Sequence, residues 1–139
     1  MLAMLKERIL FKKLNDRKAT LAVAESCTGG LLANRITNVA GSSKILLLGI
    51  VVYANSVKSN LLGIPGEFIR KKGAVSPEVA ALMSRNAIKL SGSDFGIGIT
   101  GIAGPSGGSR KKPIGTVFIA AASKNRISVK RFRFSGNRL

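Results

Sequence analysis

TLAVAESCTGG, residues 20–30, is a short apolar run followed by an acid, a serine, a cysteine, a threonine and a pair of glycines. The apolar part, from Thr20 to Glu25, predicts a buried strand, because short continuous apolar runs bounded by turn residues are typical of sheet interiors. Ser26 to Gly30 then predict a turn into a helix that continues to about Val39. A strand that feeds directly into a helix indicates an α/β unit with polar groups at the carboxyl end of the strand.

The rest of the chain repeats this alternation of strands and helices. The patterns predict helices over residues 3–15, 55–63 and 77–90, strands over 45–53, 94–100, 114–122 and 127–134, and a basic turn or short helix over 65–72. The Leu-rich front of 45–53 is also compatible with a helix. Ser76 and Pro77 are a strong helix start, and Asn125 predicts the turn of an edge hairpin. We therefore expect a single α/β domain over residues 1–139, with a mostly parallel sheet covered on both faces and an antiparallel edge hairpin.

The composition excludes several kinds of chemistry. The chain has no histidine, so Ser-His and Cys-His nucleophile pairs and imidazole metal sites are impossible within it. Its six acids are scattered along the sequence, which argues against a paired-carboxylate glycosidase and a carboxylate metal cage. A single cysteine, Cys27, excludes an internal disulfide and fits a reducing compartment.

With no signal-peptide pattern and no apolar run long enough for a bilayer, we expect a cytoplasmic protein without a membrane partner.

The formal net charge of +17 has two readings. It indicates a surface that attracts nucleic acid or a phosphorylated substrate, or it is a solvated surface without a specific partner. The basic residues are not interleaved with aromatic residues, as they are on surfaces that stack nucleic-acid bases, so the second reading is favoured. Nucleic acid stays a candidate partner on charge alone.

Residues that could take part in catalysis or ligand binding follow three of the predicted strands. Residues 26–30 open a helix, whose amides suit a phosphate or an oxyanion, although Thr28 is equally well explained as an ordinary N-cap. After the next strand, Lys58 and Tyr53 are the candidates for proton transfer in the absence of histidine; the alternative is a solvated lysine beside a core tyrosine. The loop from Thr100 to Gly108 contains four glycines and could approach an anion, but it matches neither a P-loop nor a dinucleotide fingerprint.

Taken together and in order, these segments resemble the CinA C-terminal-domain family. The motifs that carry the resemblance are AESCTGG (24–30), GSS (41–43), YANSVK (53–58), GAVS (73–76), TGIAGP (100–105) and KPIGTV (112–117). The resemblance spans roughly residues 5–138. It implies a three-layer α/β/α sandwich, frequent self-association into a homo-oligomer, and hydrolysis of nicotinamide mononucleotide to nicotinic acid mononucleotide and ammonia, with no cofactor and no metal.

The resemblance and the chemistry of amide hydrolysis together assign the site. Ser26 is the expected nucleophile, Lys58 its base and Tyr53 an aid to that base, with Cys27 as the rival nucleophile. The backbone amides of residues 28–30 are expected to hold an oxyanion or the substrate phosphate. The expected substrate-binding residues are Cys27, Thr28, Gly29, Gly30, Asn55, Thr100, Gly101, Ala103, Gly104, Gly107 and Gly108.

The sequence departs from the family pattern in two places. Ser56 stands where the family typically has an acid, and the motif from Phe134 to Arg138 normally leads into a further helix, so we expect the domain to lack the family's last helix. An inactive nucleotide-binding or assembly module of the same fold is therefore the alternative to an active amidase.

Overall fold

The computed structural model describes residues 4–137, which form a five-stranded sheet packed between helices. Its α-helices and strands, in chain order, are α1 (Leu5–Asp16), β1 (Leu21–Glu25), α2 (Leu31–Thr37), β2 (Leu46–Val51), α3 (Asn55–Leu62), α4 (Gly66–Lys72), α5 (Pro77–Ser91), β3 (Phe95–Gly101), β4 (Thr116–Ser123) and β5 (Ile127–Arg133). The Leu-rich segment from Leu46 is a strand rather than a helix, and the basic segment from Gly66 is a short helix.

The strands lie in the order β2-β1-β3-β4-β5. β1 pairs parallel with β2 and β3, whereas β3 with β4 and β4 with β5 pair antiparallel. The predicted α/β fold with an antiparallel edge is thus confirmed, and its antiparallel part includes the β3–β4 pair as well as the hairpin. The reason is the connection over residues 102–115, which carries no helix, because a parallel return usually needs a helical crossover.

Alternation along β1 divides the molecule into layers. Ala22 and Ala24 pack with residues of α3, α4 and α5, whereas Leu21 and Val23 pack with residues of α1 and α2. Because successive side chains of a strand point to opposite faces of the sheet, these two helix groups lie on opposite sides. The three-layer α/β/α arrangement is confirmed.

Helix α5 lies unusually close to the sheet. It begins as the sequence predicts, with the Ser76 hydroxyl oxygen accepting from the Val79 amide at 3.2 Å. A Cβ added at Gly98 of β3 would lie 2.4 Å from the carbonyl oxygen of Ala80, so glycine is required for this approach. The contact places the segment before α5 against the carboxyl end of β3, where the hydroxyl of Thr100 donates to the carbonyl of Ala74 at 2.8 Å.

The parallel part of the sheet collects the polar segments at one edge. The carboxyl ends of β1, β2 and β3 face the same way, so the loops that follow them lie side by side. No helix among residues 4–137 has both the length and the apolar character needed to cross a membrane.

Candidate active site

A cleft of about 330 Å³ opens between the loops that follow β1, β2 and β3. Most residues that the sequence assigns to the site lie in its wall: Ser26, Cys27, Tyr53, Asn55, Lys58, Thr100, Gly101, Ala103, Gly104 and Gly107. The wall also includes Ile102 and Ser106, which belong to the loop from Thr100 to Gly108, and Ala74 and Val75, which were not expected there. The motif around Ala74 does contribute to the resemblance, but neither alanine nor valine has a chemical signature that would mark it as part of a site.

Ser26 and Lys58 meet inside this cleft. The Lys58 Nζ donates to the Ser26 Oγ at 3.1 Å and to the carbonyl oxygen of Tyr53 at 2.8 Å. Lys58 is 2% exposed and Ser26 is 7% exposed, so the pair is shielded from bulk water. A serine within hydrogen-bond reach of a buried amine is the arrangement that a Ser-Lys hydrolytic pair requires.

The position of Lys58 follows from helix α3. This helix starts at Asn55, directly after β2, and its buried residues are Lys58 and Leu62, four residues apart on one face. Long side chains on a helix point back toward its N-terminus, which directs the Lys58 amine toward the end of β2 and the Tyr53 carbonyl. The alternative of a solvated helix lysine is thereby excluded.

Burial lowers the pKa of Lys58 below its ordinary value of 10.5, because removing the ammonium from water disfavours the charged form. The nearby Cys27 thiol acts in the opposite direction and raises the pKa, since a thiolate would attract the ammonium, but burial is the larger effect. A lysine with a lowered pKa supplies more of the neutral amine that can accept a proton.

Tyr53 contributes to the site through its backbone. Its carbonyl accepts from Lys58, while its residue is 57% exposed at the rim of the cleft. The carbonyl orients the amine. A part for the phenol in proton transfer stays a prediction.

The start of helix α2 differs from the expectation. The buried Glu25 carboxylate accepts from the Thr28 hydroxyl at 2.5 Å and from the amides of Gly30, Leu32 and Ala33 at 3.1, 3.2 and 2.8 Å. Glu25 is 0% exposed, and with these bonds it fills the positive end of the helix.

The assignment of the Gly29 and Gly30 amides to anion binding is therefore corrected. The Gly30 amide is bound to Glu25, and the Gly29 amide donates to the Ser26 carbonyl at 3.1 Å. Neither is available to an oxyanion or a phosphate, because each N–H group has one hydrogen to donate. Thr28 lies outside the cleft lining and faces an adjoining groove of about 720 Å³ between α2 and one face of β3, β4 and β5, which shares Cys27, Ile102 and Ala103 with the cleft. Gly108 also lies outside it, against the backbone of Ile114.

The loop after β3 offers amides that are not used elsewhere. Among residues 4–137, the amides of Ala103, Gly104, Ser106 and Gly107 donate no hydrogen bond. All four residues lie in the cleft wall. Positive φ angles of 81° at Gly104 and 95° at Gly107 shape the loop in a way that favours glycine.

The described part of the chain offers no cluster of three or more His, Cys, Asp or Glu side chains that could hold a metal ion. The site's own groups include the Ser26 hydroxyl, the Cys27 thiol, the Lys58 amine and a set of backbone donors. This combination can act as nucleophile, base and anion-stabilising donors in an acyl transfer.

The family model of the CinA C-terminal domain matches residues 4–139. The chain belongs to the CinA C-terminal domain family. A CinA-like protein of Geobacter sulfurreducens is 54% identical over 123 residues, which cover 88% of this chain and 30% of the relative. A CinA-like protein of Geotalea daltonii is 54% identical over 129 residues, covering 93% of this chain and 30% of the relative. The chain thus spans about 30% of the length of these family members.

Solved structures of the family have the same fold. The competence/damage inducible protein CihA from Agrobacterium tumefaciens matches with a TM-score of 0.90 at 37% identity, over 93% of this chain and 79% of that one. A competence-damaged protein (CinA) superfamily protein from Escherichia coli matches with a TM-score of 0.90 at 32% identity, over 95% of this chain and 77% of that one.

Proposed function

We propose that the chain is an amidohydrolase that converts nicotinamide mononucleotide to nicotinic acid mononucleotide and ammonia, with Ser26 as nucleophile and Lys58 as base. The observation that supports it most directly is the 3.1 Å hydrogen bond between the Lys58 Nζ and the Ser26 Oγ in a shielded cleft. The pyridine nucleotide as substrate comes from the family resemblance, and the amide chemistry comes from the residues themselves.

In the first half of the reaction, neutral Lys58 takes the proton of Ser26 as the Oγ bonds the carboxamide carbon. The carbonyl oxygen becomes an oxyanion, for which we assign the unused amides of Ala103 and Gly104 as donors. When the carbonyl re-forms, the C–N bond breaks and the Lys58 ammonium returns its proton to the nitrogen. Ammonia leaves, and an ester links the nicotinoyl group to Ser26.

The second half restores the enzyme. Water attacks the ester carbon while Lys58 takes one of its protons, giving a second oxyanion at the same donors. As the ester C–O bond breaks, Lys58 returns the proton to Ser26. The sum of the two halves is one amide and one water converted to one acid and one ammonia.

The test is ammonia release from nicotinamide mononucleotide by the purified chain and its variants. Ser26→Ala and Lys58→Met should each lower kcat by about 10³-fold or more, as loss of a nucleophile or its base does in Ser hydrolases. Ser56→Ala is a matched control, because Ser56 is an exposed serine at the start of α3, and it should keep the wild-type rate. Cys27→Ala should also remain active, which separates Ser26 from its rival.

Undiminished turnover by Ser26→Ala would eliminate the mechanism. Binding of nicotinamide mononucleotide without turnover by the wild type would instead support the inactive binding module. Self-association, a cytoplasmic location and any binding to nucleic acid remain predictions beside this proposal.

A further inference from the structure

The proposed substrate carries a phosphate. The sequence suggested the N-terminus of α2 as its binding site, but amides there already have hydrogen-bond partners. The amides of Gly30, Leu32 and Ala33 are bound to Glu25, and the Leu31 amide donates to the Thr28 carbonyl. Lys58 is the cationic residue of the cleft wall, and its amine is committed to Ser26 and the Tyr53 carbonyl. Because the described cleft wall contains no other lysine or arginine, a cation for an anionic group would have to come from outside that wall.

Lys112 lies at the border of the cleft. A Cβ added at Gly73 would be 3.4 Å from the Lys112 Nζ, and the two residues after Gly73, Ala74 and Val75, form a wall of the cleft. Lys112 is half-buried, yet among residues 4–137 its ammonium has no hydrogen-bond or ion-pair partner. An ammonium without a protein partner can make charge-assisted hydrogen bonds to an anionic ligand, and these are stronger than neutral ones.

The backbone holds Lys112 in place. Residues 109–112 form a turn in which the Ser109 amide donates to the Lys112 carbonyl at 2.9 Å and the Lys112 amide donates to the Ser109 hydroxyl at 3.1 Å. The same loop carries the unused amides of Ser106 and Gly107 in the cleft wall. Glycine-rich turns with free amides make concave sites for anions.

From this arrangement we infer that Lys112, with the amides of Ser106 and Gly107, binds the phosphate of the substrate. The inference rests on the proposed function, since it names the part of the same cleft that selects a phosphorylated substrate. It leaves Ala103 and Gly104, closer to β3, for the oxyanion.

The experiment compares Lys112→Gln with Lys111→Gln. The two variants remove the same charge from adjacent positions of one turn, and Lys111 is exposed whereas Lys112 is half-buried beside Gly73. For each we would measure kcat and KM with nicotinamide mononucleotide and with its unphosphorylated nucleoside, and the Kd of ribose 5-phosphate by calorimetry. Thermal unfolding would verify that both variants are folded.

Lys112→Gln should raise the KM for the nucleotide and the Kd of ribose 5-phosphate about tenfold or more, which is the usual effect of losing one charge-assisted hydrogen bond. The kinetic constants for the nucleoside should stay unchanged, and Lys111→Gln should alter every value less than twofold. Equal effects of the two variants, or no effect of Lys112→Gln on ribose 5-phosphate, would overturn the assignment. Absence of ammonia release by the wild type would instead count against the proposed function, and the ribose 5-phosphate measurement would still test Lys112.

Discussion

Replacing Glu25 by glutamine should destabilise the fold, although the two side chains have nearly the same shape. The carboxylate is fully buried and accepts four hydrogen bonds, three of them at Oε2 and one at Oε1. Glutamine has one oxygen and one NH₂ group, so whichever way it is oriented, at least one donor of the loop or helix faces another donor.

The magnitude follows from these contacts. In the better orientation the Ala33 amide is left without an acceptor, which costs about 1–3 kcal/mol for a buried donor. The other bonds lose their ionic character, which weakens each by roughly 1 kcal/mol. Relief of the buried charge acts in the opposite direction. We therefore expect the free energy of unfolding to fall by about 2–4 kcal/mol.

Urea denaturation of the wild type and Glu25→Gln measures this difference, and Asp16→Asn is the control. Asp16 is an exposed acid paired with Lys12 on the surface of α1, so its loss should change stability by less than about 0.5 kcal/mol. If Glu25→Gln is as stable as Asp16→Asn, the carboxylate does not hold the start of α2. Because Ser26 directly follows Glu25, the turnover of Glu25→Gln should fall as well.

Further predictions concern the base and the packing of α5. If Lys58 is the base, kcat/KM should rise with pH and level off below 10.5, because burial lowers the pKa of this residue; a rise that continues to 10.5 would contradict it. Because the pKa of Lys58 is lowered in the folded state, the stability that Lys58 contributes is complete above pH 10.5 and is lost as pH falls toward the folded pKa. The unfolding free energy of the wild type minus that of Lys58→Met should therefore become more positive as pH rises, as paired denaturation series would measure. Gly98→Ala should cost about 2 kcal/mol or more, because the new Cβ would meet backbone atoms of α5 at 2.4 and 2.7 Å. Its control, Gly66→Ala, should be neutral or stabilising, since the nearest atom there is a flexible arginine end at 3.5 Å.

Much of the site could be predicted from the sequence because its chemistry is carried by residue types. In a chain without histidine, Lys58 and Tyr53 were the candidates for proton transfer, and the strand–loop–helix pattern placed Ser26 at the carboxyl end of a strand. The family resemblance then singled out Ser26 as nucleophile and Lys58 as base. Parallel pairing then brings the loops after β1 and β2 together, so two residues 32 positions apart form a hydrogen bond. Ala74 and Val75 could not be found in this way, since they join the cleft through the packing of α5 on Gly98 and not through their own chemistry.

The order of strands and helices, the buried strands and the start of α5 were determined by the sequence alone, because periodicity and capping residues act over a few neighbouring positions. Tertiary structure decided which hydrogen-bond donors were still free. The local pattern indicated an anion site at Gly29 and Gly30, but the Glu25 side chain reaches across eight residues to Ala33 and closes that helix start. The amides of the β3 loop remain open instead. Each N–H can be used once, and its partner is known only when the side chains and loops around it have taken their folded positions.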